Sequence, residues 1–314
     1  MKKAFSSFNG YKIIQILCVS FTTIHYSFSQ AVPPEFKKPV VFIFIKDKND
    51  KIVPNGTAFF VIKPDSINNI SFNYLITAKH VIQESGTDKF YDQIYLRINR
   101  RNSTFDTIPL QLIAQKRFIN FVTNQDQSID LAVIPMAPDF KKYDYLSIPE
   151  SMLFMSKEEL DSSYVKEGTN VFYTGLFSPY LGYSSNSPII RFGRIALLPK
   201  EKIFWDSSNI RQELFLVETT TYGGNSGSPL YCYDNPQKIG GGVVFDNKPV
   251  KLAGVIKGYS GEKEPIEYVP SSMNLTYTSN IGITAVVPSY LLYQILEGAV
   301  LSKSREDILK SLKK

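Results

Sequence analysis

Between residues 39 and 287 the chain alternates short runs of β-branched and aromatic residues with breaks of Gly, Pro, Asn and Asp. The runs VVFIFI (40–45), TAFFVI (57–62), NYLITA (73–78), QIYLRI (93–98), LAVIPM (131–136), NVFYTG (170–175), ELFLVE (213–218) and KLAGVI (251–256) have the length and composition of strands. Many short strands at close spacing predict an all-β sandwich or barrel architecture. Asp47-Lys48-Asn49-Asp50 and Asp246-Asn247 stand where hairpin turns belong. Residues 138–168 interrupt the rhythm with charge, serine and proline, and so divide the chain into two β-rich portions. From residue 288 the period changes. Leu291, Ile295, Ala299, Ile308 and Leu312 fall at helical intervals, predicting a closing helix packed on the body, with a solvated Lys-rich tip.

The N-terminus carries a different pattern. Met1-Lys2-Lys3 precedes an apolar stretch at 13–22, followed by Ser27-Phe28-Ser29 before Gln30. A cationic start, a short apolar segment and small residues read as an export signal over residues 1–29. This directs the mature chain to the periplasm or the extracellular space. The apolar stretch is shorter than the roughly 20 residues a membrane span needs, so no stable membrane insertion is expected. Leu17 before Cys18 stands where a lipid-anchoring signal has a small residue.

Composition narrows the function classes. The 314 residues are 43% hydrophobic and 20% charged, enough for a sizeable core. Lys2, Lys3 and Lys12 lie in the signal without an acid, so the formal charge of +6 becomes +3 in the mature chain. That excess is too small to argue for nucleic acid. Removal of the signal leaves Cys232 alone, so no intrachain disulfide can form. With one histidine and one cysteine remaining, no metal cluster at ligand spacing is available and no cofactor is implied.

Candidate chemistry begins at Tyr222-Gly223-Gly224-Asn225-Ser226-Gly227-Ser228, a serine among glycines between two apolar runs. Glycine opens backbone conformations closed to other residues, so the amides of Gly224 and Ser226 could converge as an oxyanion hole. Turns use the same residue types, and the segment alone does not separate the two readings. His80 in LITAKHV is the only histidine left once His25 departs with the signal. A serine hydroxyl needs an adjacent base with a pKa near the working pH, which imidazole supplies. Asp130 in SIDLAVI opens an apolar strand, where a buried carboxylate needs a partner. Asp126 is the rival acid, without an apolar strand directly behind it.

In order and in spacing, LITAKHV, SIDLAVI and GGNSGSPL resemble the three catalytic blocks of trypsin/chymotrypsin-like serine peptidases, and most of all the disulfide-free bacterial members of HtrA/Deg and glutamyl-endopeptidase type. The resemblance covers roughly residues 56–296. It implies two antiparallel six-stranded β-barrels and a C-terminal α-helix: a peptidase domain at 30–287, with a first barrel at about 38–137, a linker at about 138–167 and a second barrel at about 168–287, then a helix and basic tail at 288–314. It further implies His80, Asp130 and Ser226 as a catalytic triad, Gly224 and Ser226 as the oxyanion hole, and protein or peptide substrates.

Two departures matter. Asn225 stands where trypsin-like zymogens carry the aspartate that pairs with a freshly cut N-terminus, so activity is expected without internal cleavage. By the family pattern Thr220 lies near the floor of the specificity pocket, and the strand around Lys257, Gly258 and Tyr259 forms its wall. None supplies a buried acid to select Arg or Lys. A neutral or apolar side chain is expected there, or an acidic one if Thr220 and Lys257 both reach it. Two other functions stay open: a protease fold kept as a binding module, and an acyl hydrolase that uses the same triad on esters.

Overall fold

Strand β1 (Val40–Lys46) returns as β2 (Ile52–Asp65) through a turn organised by Asp47. Its Oδ1 accepts the backbone N–H groups of Asn49 at 2.8 Å and Lys51 at 2.9 Å, and Asp50 takes the left-handed conformation, φ 59°. The computed structural model describes residues 32–114, 118–206, 209–233, 237–239, 242–244, 250–265 and 276–312. The segment read as an export signal and the turn expected at Asp246-Asn247 lie outside the described residues.

The first half continues with β3 (Ile70–Thr77), β4 (Gln93–Asn99), β5 (Phe105–Gln111), β6 (Val122–Thr123), β7 (Ala132–Pro135) and β8 (Ile148–Pro149). These make an eight-stranded sheet in the order β5-β4-β1-β2-β3-β7-β6, with β8 added in parallel along β2. Among the described residues its hydrogen-bonded order runs from β5 to β6 without closing into a ring. Alternate residues face one core: Val41 and Ile43, Ala58 and Phe60, Ile94, Leu96 and Ile98, Ala132 and Ile134.

The crossing segment holds a short helix, α1 (Lys157–Ser162), whose N-cap Ser156 accepts the Glu159 N–H at 3.2 Å. Beyond it, β9 (Asn170–Gly175), β10 (Ile189–Leu197), β11 (Phe215–Glu218), β12 (Pro229–Tyr233), β13 (Lys251–Pro265) and β14 (Thr276–Pro288) close into a six-stranded antiparallel barrel, in the order β9-β10-β11-β14-β13-β12. The N-terminal Phe36 packs edge-on against Phe172 and Tyr231 of this barrel. Cys232 is a free thiol inside the barrel, and burial pushes its pKa up to about 11, as for a small core residue.

The C-terminal helical run is broken in two, α2 (Ser289–Glu297) and α3 (Ala299–Leu312). Gly298 between them is extended, with φ −62° and ψ 154°, and its N–H caps the Ile295 carbonyl at 3.1 Å. The break resets the helical phase, so spacing counted across it does not carry over. Leu291 and Ile295 are buried, whereas Ala299, Ile308 and Leu312 are exposed and α3 buries Leu301 and Arg305. The Arg305 guanidinium donates to Tyr74 Oη on β3 at 3.1 Å and to the Leu296 carbonyl at 2.7 Å, tying α3 to the first sheet. No helix among the described residues is long and apolar enough to cross a membrane.

Candidate active site

Sheet register brings His80 and Asp130 together. β3 and β7 run antiparallel with Thr77 opposite Ala132, so the chain leaving β3 and the chain entering β7 emerge side by side. His80 follows in the 3-10 turn Lys79–Ile82, which Asn55 holds by donating from Nδ2 to the Val81 carbonyl at 2.7 Å. Asp130, 5% exposed, spends both oxygens on this one residue. Oδ1 accepts the His80 backbone N–H at 2.9 Å, and Oδ2 lies 2.6 Å from Nδ1. Burial pushes the Asp130 carboxyl up, yet the charge and hydrogen bond of His80 hold it at about 2. At His80 burial opposes the imidazolium, and the Asp130 carboxylate outweighs it, so the pKa lies above the ordinary 6.5. With Nδ1–H engaged by Asp130, Nε2 is the basic nitrogen. The imidazole stays 46% exposed, open to the cleft.

Ser226 sits on the loop 222–228. Gly224 and Gly227 there have φ values of +96° and +86°, which L side chains rarely adopt. At Gly227 a Cβ would also fall on the Thr57 carbonyl oxygen and the Thr77 hydroxyl. The amides of Asn225, Gly227 and Ser228 donate to the carbonyls of Tyr222 at 3.0 Å, Ile256 at 2.8 Å and Asn225 at 3.1 Å. Those of Gly224 and Ser226 have no partner among the described residues, which leaves two donors beside the serine.

Asn225 explains how the loop holds its shape. It is 1% exposed; its Oδ1 accepts the Tyr222 N–H at 2.8 Å and the Tyr173 hydroxyl at 3.1 Å, and its Nδ2 donates to the Leu176 carbonyl at 2.5 Å. Neighbouring groups thus supply the partners that an aspartate at this position would seek from a new N-terminus.

His80, Asp130 and Ser226 line one cavity of about 480 Å³. The Ser226 hydroxyl donates to the Lys257 carbonyl at 2.9 Å, and no hydrogen bond joins it to His80 among the described residues. Lys257 and Tyr259 line the same cavity, but Thr220 does not. Thr220 is exposed, and among the described residues only its carbonyl is engaged, accepting the Tyr173 hydroxyl at 2.8 Å. Thr221 lines the cavity instead, buried and 2.9 Å from the Thr284 hydroxyl. Side chains alternate along an extended segment, so an offset of one residue turns the wrong one inward. The Lys257 ammonium is turned to partners of its own, the Gln212 side-chain oxygen and Asp206 Oδ2, the latter at 3.0 Å.

Trp205, Asp206 and Gln212 also line the cavity, from the segment between β10 and β11. No period or motif marks them in the sequence. The one signal is the chain's single tryptophan standing beside an acid between two strand runs.

A glycine-bracketed serine on a closed antiparallel barrel, facing a His–Asp pair from a preceding β-sheet in the chain order His, Asp, Ser, defines the chymotrypsin-like serine peptidase fold. Solved structures similar to this chain include the MamO protease domain from Magnetospirillum magneticum in its apo form (TM-score 0.49, 14% identity, 84% of this chain and 99% of that one). They also include the thermostable serine protease AL20 from an extremophilic microorganism (TM-score 0.44, 10% identity, 84% of this chain and 100% of that one). No protein-family description matches the chain, and no curated protein does.

Proposed function

We propose that the chain is an exported serine endopeptidase acting through His80, Asp130 and Ser226. The observation that carries this reading is the doubly bonded His80–Asp130 pair, opening with Ser226 and the free amides of Gly224 and Ser226 onto one cleft. In the proposed cycle the Ser226 hydroxyl leaves the Lys257 carbonyl, turns to His80 Nε2 and attacks a peptide carbonyl while Nε2 takes its proton. The amides of Gly224 and Ser226 hold the oxyanion. His80 then protonates the departing amine, and water, deprotonated by His80, frees the acyl group from Ser226. Asp130 holds the imidazole tautomer and stabilises the imidazolium throughout. The pattern of residues 1–29 supports export before the activity is exercised.

A binding module is favoured by one specific observation, the Ser226 hydroxyl resting on Lys257 instead of His80. Labelling with a fluorophosphonate decides between them. The endopeptidase reading expects wild type to label and to cut a peptide library, and Ser226→Ala to do neither, with turnover lowered by about 10⁶-fold. No labelling under any condition gives the module; labelling with ester cleavage alone gives an acyl hydrolase.

A further inference from the structure

We infer that Thr57, on β2 of the first sheet, is a positioning residue that sets the orientation of the oxyanion-hole loop on the barrel. The inference rests on the reading of Ser226 as nucleophile. Thr57 is fully buried, and each of its polar atoms is engaged. Its N–H donates to the Ser226 carbonyl at 2.9 Å, and its hydroxyl donates to the Gly224 carbonyl at 2.7 Å. The same hydroxyl accepts the Leu176 N–H at 3.0 Å, and its carbonyl accepts the Thr77 hydroxyl at 2.7 Å.

Peptide planarity gives these bonds their consequence. A carbonyl and the following N–H share one rigid plane and point in opposite directions. Pinning Gly224 O fixes the plane that carries the Asn225 N–H, and pinning Ser226 O fixes the plane that carries the Gly227 N–H. Those two N–H groups are the ones satisfied within the barrel, by Tyr222 and Ile256. The intervening plane, with the free Ser226 N–H, is held from both sides. Ser178 Oγ donates to the Gly223 carbonyl at 3.1 Å and so steadies the plane of the free Gly224 N–H. The close approach this requires is visible at Gly227, where a Cβ would strike the Thr57 carbonyl. A hydroxyl at position 57 is needed because one group must donate to Gly224 and accept from Leu176, which valine of the same shape cannot do.

The test compares Thr57→Val with Thr57→Ser. The Gly224 amide is followed by NMR with glycine labelled at carbonyl carbon and nitrogen, which selects glycines preceded by glycine: Gly224, Gly241 and Gly242. Turnover is followed on a peptide substrate. Thr57→Val is expected to move or broaden the Gly224 signal and to lower kcat by about 10²-fold, the scale of losing one oxyanion donor, with KM within about threefold. Thr57→Ser, which keeps both hydrogen bonds, is expected to hold the wild-type signal and to stay within about threefold of wild-type kcat. A purely structural role would lower the melting temperature of Thr57→Val and leave its Gly224 signal and kcat as in wild type, and that result overturns the inference. So does a Thr57→Ser variant that falls as far as Thr57→Val. If wild type fails to label with fluorophosphonate while the Gly224 signal still follows the hydroxyl at 57, the peptidase reading fails and the positioning role stands.

Discussion

Replacing Asp130 by asparagine keeps the shape of the side chain and removes its charge. One amide oxygen can still accept the His80 backbone N–H, now held at 2.9 Å. The amide nitrogen then faces Nδ1, where the carboxylate lies at 2.6 Å, and as a donor it requires Nδ1 to be unprotonated. The imidazole proton moves to Nε2, the nitrogen that accepts from Ser226 in the proposed cycle. The expected loss in kcat is roughly 10⁴-fold, about 5.4 kcal/mol of barrier at 1.36 kcal/mol per decade. A second effect has a definite sign. In wild type the carboxylate holds the His80 pKa above 6.5 against burial, so the acid limb of kcat/KM is expected to have its midpoint above 6.5. Without the carboxylate burial dominates, and the limb moves to lower pH.

The pair also contributes to folding in a defined window. The depressed Asp130 pKa gives stability that is present above the unfolded value near 3.8 and lost as pH falls through about 2. The raised His80 pKa gives stability present below 6.5 and lost as pH rises through the folded value. The stability gap between wild type and Asp130→Asn in urea is therefore widest between these two unfolded values. Measurement of kcat/KM from about pH 5 to about pH 10, with urea midpoints across the acid range, tests both claims. A variant within tenfold of wild type near neutrality, with its acid limb unmoved, would refute the assignment of Asp130.

Three further outcomes are expected. Gly227→Ala combines a strained positive φ, costing about 1–2 kcal/mol, with overpacking against Thr57 and Thr77, costing about 1–3 kcal/mol; an unchanged urea midpoint would contradict it. Asp206→Asn removes a charge that raises the His80 pKa and leaves the Lys257 charge, which lowers it, less compensated, so the acid limb of kcat/KM moves down in pH; an upward move would contradict the site electrostatics. Arg305→Met keeps the aliphatic stem and removes the bonds to Tyr74 and Leu296, so about 1–3 kcal/mol of stability is lost; hydrogen exchange should then quicken in α3 with α2 nearly unchanged.

Much of this architecture is written in local residue choice. The β-branched runs become strands, and the sheet register that follows carries His80 and Asp130 to one place. What the sequence hides is whatever depends on a partner far along the chain. Thr57 reads as an ordinary strand threonine until the loop around Ser226 folds onto it. Trp205, Asp206 and Gln212 belong to an aperiodic stretch, so nothing local directs them to the cleft. The offset between Thr220 and Thr221 and the phase reset at Gly298 have one cause: alternation and helical period fix facing only within a continuous element, and each of these positions lies at a break. The direction of the Ser226 hydroxyl is a rotamer choice between two acceptors, below the resolution of any motif.

The side chain of Asn225 draws every partner it needs from Tyr222, Tyr173 and Leu176. A loop completed from within leaves no bond at Asn225 waiting for a chain end that cutting would create. A foreign domain fused ahead of Pro34 is therefore expected to leave any turnover at Ser226 unchanged.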